Sequence, residues 1–141
     1  MKNHLCYLLP KSDTVFLTNT DSFRQAYNMF ILTNYAALPV INKKGQYIGT
    51  ICEGDLLRVL SLSLSHPEIN LDSFEVKDIE FKTKVQVAKV NESFEHLVEL
   101  AVTQNFIPLV DDLGVFIGIL RRQELIKELI SFLSIKVAER K

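Results

Sequence analysis

The sequence contains an internal duplication, and this duplication limits the possible folds more than any other feature. A proline and two glycines recur after 69 residues, as Pro39 and Pro108, Gly45 and Gly114, and Gly49 and Gly118. The stretch GQYIGTICEGDLLRVL (residues 45–60) aligns in the same register with GVFIGILRRQELIKEL (residues 114–129). Such self-similarity predicts two copies of one supersecondary unit.

Each copy is predicted to be a β-α-β-β-α unit, so the fold class is α+β. Residues 20–34 and 91–105 carry apolar side chains at helical spacing, which predicts one amphipathic helix per copy. Short strands are expected before these helices, at 15–17 and 86–88. A hairpin with glycine in its turn and a second helix complete each copy.

The duplication also predicts the domain organisation. Residues 1–65 form the first repeat with its N-terminal segment, and residues 76–141 form the second repeat with a C-terminal helix. The polar stretch 66–75 contains Pro67 and is predicted to be a linker. Each repeat is small for an independent core, so the two are expected to pack together.

Composition excludes several functional classes. The net charge of -1 and the lack of a basic cluster argue against a nucleic-acid partner. No apolar run reaches the roughly 18 residues of a membrane span, so a cytoplasmic protein is expected. The two cysteines are predicted to be reduced, and the histidines have no metal-site spacing. With no nucleophile–base pair in the sequence, we expect neither catalytic residues nor a bound metal.

The tandem order and the junction motifs resemble a known family. The strands LPVI (38–41) and IPLV (107–110) are each followed, ten residues after the proline, by a glycine and then a strand-to-helix junction. This arrangement resembles the CBS-domain pair, or Bateman module, over roughly residues 10–134. The resemblance implies a pseudo-twofold pair of repeats that binds an adenine nucleotide in a cleft between them, and a stand-alone sensor with no appended domain.

The resemblance also implies a set of nucleotide-binding residues. In the first repeat they are Thr14, Val15, Leu17, Ala36, Ala37, Leu38, Cys52 and Asp55, and in the second they are Arg121, Arg122 and Glu124. Asp55 matches the acid that holds a ribose in the family. Cys52 and Arg121 replace the usual hydroxyl residue, and Glu124 replaces the second acid.

Two interpretations remain open for the charged residues. Asp55 either holds a ribose or serves only as a helix-terminus acid. Arg121 and Arg122 oppose the dipole at a helix N-terminus, and they either bind a phosphate or pair with Glu124 or another acid. Cys52 is more simply a small buried hydrophobe. The arginine pair also resembles stand-alone CBS-pair proteins of Gram-positive bacteria that bind cyclic di-AMP.

Two functional hypotheses follow from these residues. The first is a regulatory module that binds AMP, ATP or cyclic di-AMP and signals to a protein partner. The second is a ligand-free dimerisation or scaffold protein with decayed sites. A homodimer is expected in either case, because the last helix keeps an apolar face through Leu133 and Ile135.

Overall fold

A computed structural model describes the backbone of residues 4–139 and the side chains of residues 6–134. Over this range the chain forms four α-helices and seven β-strands, which confirms the α+β class. The strands are β1 (Leu8–Pro10), β2 (Leu17–Thr18), β3 (Ala37–Ile41), β4 (Tyr47–Cys52), β5 (Ala88–Lys89), β6 (Phe106–Val110) and β7 (Phe116–Arg121). The helices are α1 (Phe23–Thr33), α2 (Glu53–Ser65), α3 (Phe94–Thr103) and α4 (Arg122–Glu139). The predicted short strands at 15–17 and 86–88 are thus observed one to two residues later, as β2 and β5.

The chain divides into two compact units. One unit is continuous in sequence and spans Val15–Val85. The other joins the N-terminal residues up to Thr14 to the chain from Gln86 onward. This grouping differs from the predicted division in two places, the N-terminal segment and the region 66–85.

The first unit, Val15–Val85, contains a three-stranded sheet in the order β2-β3-β4. Strand β2 runs parallel to β3, and β3 runs antiparallel to β4, with Pro39 opposite Thr50. Helices α1 and α2 contribute Phe23, Ala26, Leu56 and other buried side chains to one apolar core with this sheet. The unit therefore has its own hydrophobic core.

The region after α2 belongs to this same unit, although its polar composition predicted a linker. The backbone N–H of Phe23 donates to Phe74 O at 2.7 Å, and that of Val76 donates to Asp21 O at 2.8 Å. Val76 and Ile79 are buried in the core, and Phe81 packs against it. The few apolar side chains of this segment hold it in place, because burying them removes nonpolar surface from water.

The second unit contains a four-stranded sheet in the order β1-β7-β6-β5. Strand β1 pairs antiparallel with β7, with Leu8 opposite Leu120, so the N-terminal segment lies in this unit rather than in the first repeat. Gly118 lies opposite Pro10 with φ at 152°, and a Cβ there would overlap the Leu9 carbonyl oxygen. Only glycine lets the two strands approach this closely.

Both hairpin turns have the same construction, as the repeat predicts. Asn42 Oδ1 accepts from the Lys44 and Gln46 N–H groups, and Asp111 Oδ1 accepts from those of Leu113 and Val115. The glycines at positions 45 and 114 have φ values of 79° and 81°. The predicted antiparallel hairpins with a positive-φ glycine are confirmed in both units.

The first helix of each unit begins at a serine that caps its N-terminus. Ser22 Oγ accepts from Gln25 N at 3.1 Å and Gln25 Oε1 accepts from Ser22 N at 2.7 Å, which forms a capping box. Ser93 Oγ accepts from His96 N at 3.2 Å. A side-chain acceptor satisfies an N–H that has no partner within the helix.

The apolar faces of these helices are wider than the parts that the units bury. In α1, Phe23, Ala26 and Phe30 are buried, whereas Tyr27 and Ile31 are exposed. In α3, Leu97 and Ala101 are buried and Val102 is exposed. Each unit therefore leaves apolar helix surface in contact with solvent.

Candidate functional site

The candidate site is built on the strand-to-helix junction that ends each hairpin. At the first junction, the Glu53 N–H donates to Ala36 O at 3.1 Å. At the second junction, the Arg122 N–H donates to Asn105 O at 3.0 Å. These pairs are related by the 69-residue repeat, so the same backbone bond fixes where α2 and α4 begin while the surrounding side chains differ.

Asp55 is the most enclosed charged group of the first junction. Its side chain is only 2% exposed. Asp55 Oδ2 accepts from Cys52 N at 2.9 Å, and Oδ1 lies 2.8 Å from Arg58 Nη2 and 3.3 Å from Lys82 N. Three donors thus satisfy the carboxylate, as a buried charge requires.

Arg58 extends this network beyond the helix. Its Nη2 donates to Glu80 O at 2.6 Å as well as to Asp55, while its side chain remains 34% exposed. The pair therefore joins the start of α2 to residues 80–82 of the same unit. Arg58 was not among the predicted site residues, although its position three residues after Asp55 on one helix face indicates such a pair.

The other predicted residues of the first repeat lie around the hairpin. Ala37 pairs with Cys52 across the β3–β4 ladder, and Ala36 precedes this pair with its side chain exposed. Cys52 is partly exposed, so it is not the fully buried hydrophobe of the simpler interpretation. Leu38 is buried in the core and can offer only backbone atoms to a ligand.

The first-strand residues do not form one group. The Thr14 hydroxyl lies 2.8 Å from Pro10 O and 3.2 Å from Leu9 O, within the second unit. Val15 and Leu17 lie in the first unit, where Val15 packs against the core and Leu17 is buried within it. Leu17 pairs with Val40, so its backbone is part of the sheet.

Arg122 is held by the C-terminal turn of α3. Its Nε donates to Ala101 O at 2.7 Å, and its Nη2 lies 3.4 Å from Val102 O. A cation at the C-terminus of a helix is favourable, because unpaired carbonyls and the helix dipole both attract it. This interaction offsets the cost of placing a cation at the N-terminus of α4. The sequence had left a phosphate or an acid as the group that would offset this cost.

Arg121 has weaker interactions. Its side chain is 50% exposed, and its Nη2 lies 3.6 Å from Glu124 Oε1. Lys127 Nζ lies 3.6 Å from the same oxygen. Both separations exceed ordinary hydrogen-bond length, so these are loose ion pairs at the surface.

The two junctions therefore differ in tightness although the repeat relates them. Asp55 and Arg58 correspond to Glu124 and Lys127, and both pairs are separated by three residues on a helix. The first pair is a hydrogen bond of 2.8 Å to a buried carboxylate, whereas the second is a contact of 3.6 Å to a partly exposed carboxylate. The first junction is closed by its own side chains, and the second leaves Glu124 and Arg121 accessible.

Each unit also has a groove beside its helices. The α3/α4 groove has a volume of about 400 Å³, and its lining residues are Val98, Ala101, Val102, Arg122, Leu125, Ile126 and Leu129. The α1/α2 groove has a volume of about 380 Å³, and its lining residues are Phe23, Arg24, Tyr27, Leu60 and Leu71. Both walls are mainly apolar, so the grooves suit hydrophobic contacts better than a charged ligand.

The described residues contain no cluster of three or more histidine, cysteine or acidic side chains that could hold a metal ion. Within the same part of the chain, no helix is long and apolar enough to cross a bilayer.

Burial raises the pKa of Tyr47, whose hydroxyl lies 2.6 Å from that of Thr50. Tyr47 is therefore a neutral group inside the first unit.

Comparison with known proteins identifies the family. The CBS domain family matches twice, at residues 8–62 and 76–131. The chain therefore belongs to the CBS-domain family and carries the domain twice, as the resemblance predicted. A curated relative, an uncharacterized protein of Methanocaldococcus jannaschii, is 30% identical over 72% of this chain and 77% of its own length.

Solved structures share the fold at lower identity. The crystal structure of CbpB in complex with c-di-AMP has a TM-score of 0.80 and 20% identity, covering 98% of this chain and 91% of CbpB. The crystal structure of CBSX2 in complex with AMP has a TM-score of 0.71 and 20% identity, covering 90% of this chain and 95% of CBSX2. These similarities confirm the CBS-pair fold.

Proposed function

We propose that this protein is a regulatory module that binds an adenine nucleotide, namely AMP, ATP or cyclic di-AMP, and signals its presence to a partner protein. Membership of the CBS family and the AMP and c-di-AMP complexes of its structural neighbours support this proposal. The observation that carries this proposal is the accessible guanidinium of Arg121, which lies at the strand-to-helix junction of the second repeat. Because these nucleotides are intracellular, we propose the cytoplasm as the place of action.

Arg121 is the group that we assign to the anionic part of the ligand. A guanidinium offers two parallel donors to phosphate oxygens, and the present partner of Arg121 is a loose contact at 3.6 Å. Exchanging that contact for a phosphate costs little, since exposed ion pairs contribute little stability. Arg122 is less suited to this role, because its Nε already donates to Ala101 O.

The remaining predicted residues have narrower proposed roles. We assign Ala36 and Ala37 to a planar ring, because their small side chains obstruct it least, and the partly exposed Cys52 lies opposite Ala37 in the β3–β4 pair. Glu124 can accept a ribose hydroxyl, because it is reachable from solvent and only loosely paired. No enzymatic step is assigned to any of these residues.

A panel of ligands tests the proposed function. The thermal unfolding midpoint is measured with AMP, ADP, ATP, cyclic di-AMP, S-adenosylmethionine and NADH. A ligand at 100 times its dissociation constant adds about 2.7 kcal/mol to the free energy of unfolding. For a chain of this length that gain raises the midpoint by several degrees, and no shift with any of the six compounds contradicts the proposal.

We also propose that the protein is a homodimer. Exposed apolar side chains lie on α1, α2, α3 and α4, namely Tyr27, Ile31, Leu57, Val102, Ile126, Ile130 and Leu133. A monomer would leave these surfaces in water, whereas a second copy offers the same surfaces for burial. Ile135, which was predicted to extend the apolar face of the last helix, lies outside the range of described side chains.

A scaffold protein without a ligand is the second candidate, and one observation favours it. Asp55 and Arg122, for which contact with ribose and with phosphate was one of two open interpretations, already have partners within their own units. A scaffold with decayed sites would have this property. The ligand panel separates the two functions, because a scaffold gains no stability from nucleotides.

A further inference from the structure

We propose that the Arg58 guanidinium competes with a ligand for the Asp55 carboxylate. Its bond to Asp55 closes the first junction until a ligand displaces the guanidinium. This inference rests on the proposed function, since it concerns how an adenine nucleotide would gain access to Asp55. Asp55 is the acid that matches the ribose-binding acid of the family, yet it is almost fully buried and accepts from three donors. A ribose hydroxyl needs a carboxylate lone pair that it can reach, and burial together with these donors restricts that access.

The contacts of Asp55 separate into a local bond and a closing bond. Oδ2 accepts from Cys52 N at 2.9 Å, which caps helix α2 and does not obstruct a ligand. Oδ1 accepts from Arg58 Nη2 at 2.8 Å and from Lys82 N at 3.3 Å. A ribose hydroxyl would compete for Oδ1, where the shorter contact is with Arg58.

Arg58 can leave this position without disrupting the core. About a third of its side chain is exposed, because it lies on the surface of α2 one turn after Asp55. A long, flexible cationic side chain at such a position can reach water by changing rotamers. The carboxylate would then exchange a guanidinium donor for the hydroxyl donors of a ribose.

Release of Arg58 would also loosen a segment of the first unit. The same Nη2 donates to Glu80 O at 2.6 Å, and Lys82 N reaches Asp55 Oδ1 at the longest distance in the network. Two hydrogen bonds therefore join residues 80–82 to the closed arrangement of Arg58 and Asp55, in addition to the packing of Phe81 against the core. Opening would raise the exchange rate of the Lys82 amide proton, which provides a direct reporter.

The second junction provides an internal control. Lys127 occupies the position that corresponds to Arg58, but it lies 3.6 Å from Glu124 Oε1 and its side chain is 73% exposed. Such a contact is too long and too well solvated to exclude a competing donor. Lys127→Met thus removes a cation at the same repeat position without opening a closed site.

Calorimetric titration with AMP tests the competition in the full chain. Wild type, Arg58→Met and Lys127→Met are titrated under the same conditions. Losing a partly exposed, charge-assisted competitor should tighten AMP binding by about three- to tenfold in Arg58→Met. Lys127→Met should stay within about twofold of wild type. Unchanged or weaker AMP binding by Arg58→Met overturns the inference.

Three possible outcomes separate this inference from the proposed function. If AMP binds wild type but Arg58→Met shows no gain, only the inference fails. If AMP binds neither protein, the inference fails, while the proposed function is decided by the panel of six compounds. If AMP binds only Arg58→Met, the competition is supported in its strongest form.

A wild-type measurement covers the case in which Arg58→Met does not fold. Hydrogen exchange of the Lys82 amide is followed by NMR with and without saturating AMP. The inference requires faster exchange of Lys82 in the complex, with the Gly45 amide of the hairpin turn as an unaffected reference. Slower or unchanged exchange of Lys82 shows that the first junction stays closed, and this result rejects the inference.

Discussion

Arg122 Nε lies 2.7 Å from the carbonyl oxygen of Ala101, so the guanidinium at the start of α4 binds the C-terminal turn of α3. The sequence placed this arginine at a helix N-terminus, where a cation is unfavourable. The structure gives it a second helix terminus of opposite polarity, where a cation is favourable. This relationship changes the expected effect of mutating Arg122.

Arg122→Met should destabilise the protein in the absence of ligand. The substitution removes the bond to Ala101 O, and a hydrogen bond from a charged donor contributes about 1.5 to 3 kcal/mol. Urea denaturation measures the loss, with Arg121→Met as the matched control. Arg121 makes no hydrogen bond of this length, so its removal should change stability by less than about 0.5 kcal/mol. A stable Arg122→Met protein that has lost nucleotide affinity would contradict the structural role.

Asp55→Asn should also destabilise the protein, beyond the helix-dipole term alone. The substitution leaves the Arg58 guanidinium without its carboxylate, and breaking a buried ion pair costs about 3 to 5 kcal/mol. Partial exposure of Arg58 lowers this figure to about 1 to 3 kcal/mol. The control is Glu124→Gln at the loosely paired second junction, which should lie within about 0.5 kcal/mol of wild type. Equal urea midpoints for the two variants would show that burial of Asp55 has no energetic consequence.

Gly118→Ala should be among the most damaging single-methyl changes in the chain. The added Cβ would overlap Leu9 O across the β1–β7 pair, and the backbone φ of 152° is strained for alanine. We expect a loss of about 2 kcal/mol or more. Gly54→Ala is the matched control, because a Cβ there meets no atom within 4 Å. Since Gly54 lies in α2, alanine should stabilise it by about 0.5 to 1 kcal/mol. Equal denaturation midpoints for Gly118→Ala and Gly54→Ala would refute the close approach of β1 to β7.

The protein should behave as a homodimer at tens of micromolar, through its exposed apolar helix surface. Ile130 is 59% exposed on α4, and Ile130→Glu would place a charge in that surface at little cost to the monomer. Light scattering should give twice the chain mass for wild type and a lower mass for Ile130→Glu. A single-chain mass for wild type, with an unchanged thermal midpoint in the variant, would leave the homodimer without support.

Local sequence patterns predicted the regular elements well. The helical spacing of residues 20–34 and the glycines of the hairpin turns act over a few residues, so one sequence was enough to place α1, α3 and the two hairpins. The duplication then predicted that both units share one construction, and the repeated bonds of Asn42 and Asp111 agree with it. The family resemblance came from the same short motifs.

Long-range contacts could not be predicted in this way. The pairing of Leu8 with Leu120 joins residues at opposite ends of the chain, and no local pattern indicates which strand an N-terminal apolar segment will join. The same limit applies to Arg122, whose partner is the carbonyl of Ala101 on another helix. Asp55 was singled out as an acid at the start of a helix, but no local pattern indicates its bond to the Lys82 N–H, 27 residues later.

Calorimetric titration of wild type and Arg121→Met with AMP and with cyclic di-AMP tests whether the protein binds a nucleotide through Arg121. Wild type should bind at least one of these nucleotides saturably. Arg121→Met should lose at least tenfold in affinity for that nucleotide, because a charge-assisted bond to phosphate contributes about 1.5 to 3 kcal/mol. Lys127→Met, which removes the other cation near Glu124, should bind within about twofold of wild type. No binding of AMP or cyclic di-AMP to wild type would leave ATP as the only one of the three proposed ligands, and equal binding by wild type and Arg121→Met would contradict the assignment of Arg121 to the phosphate.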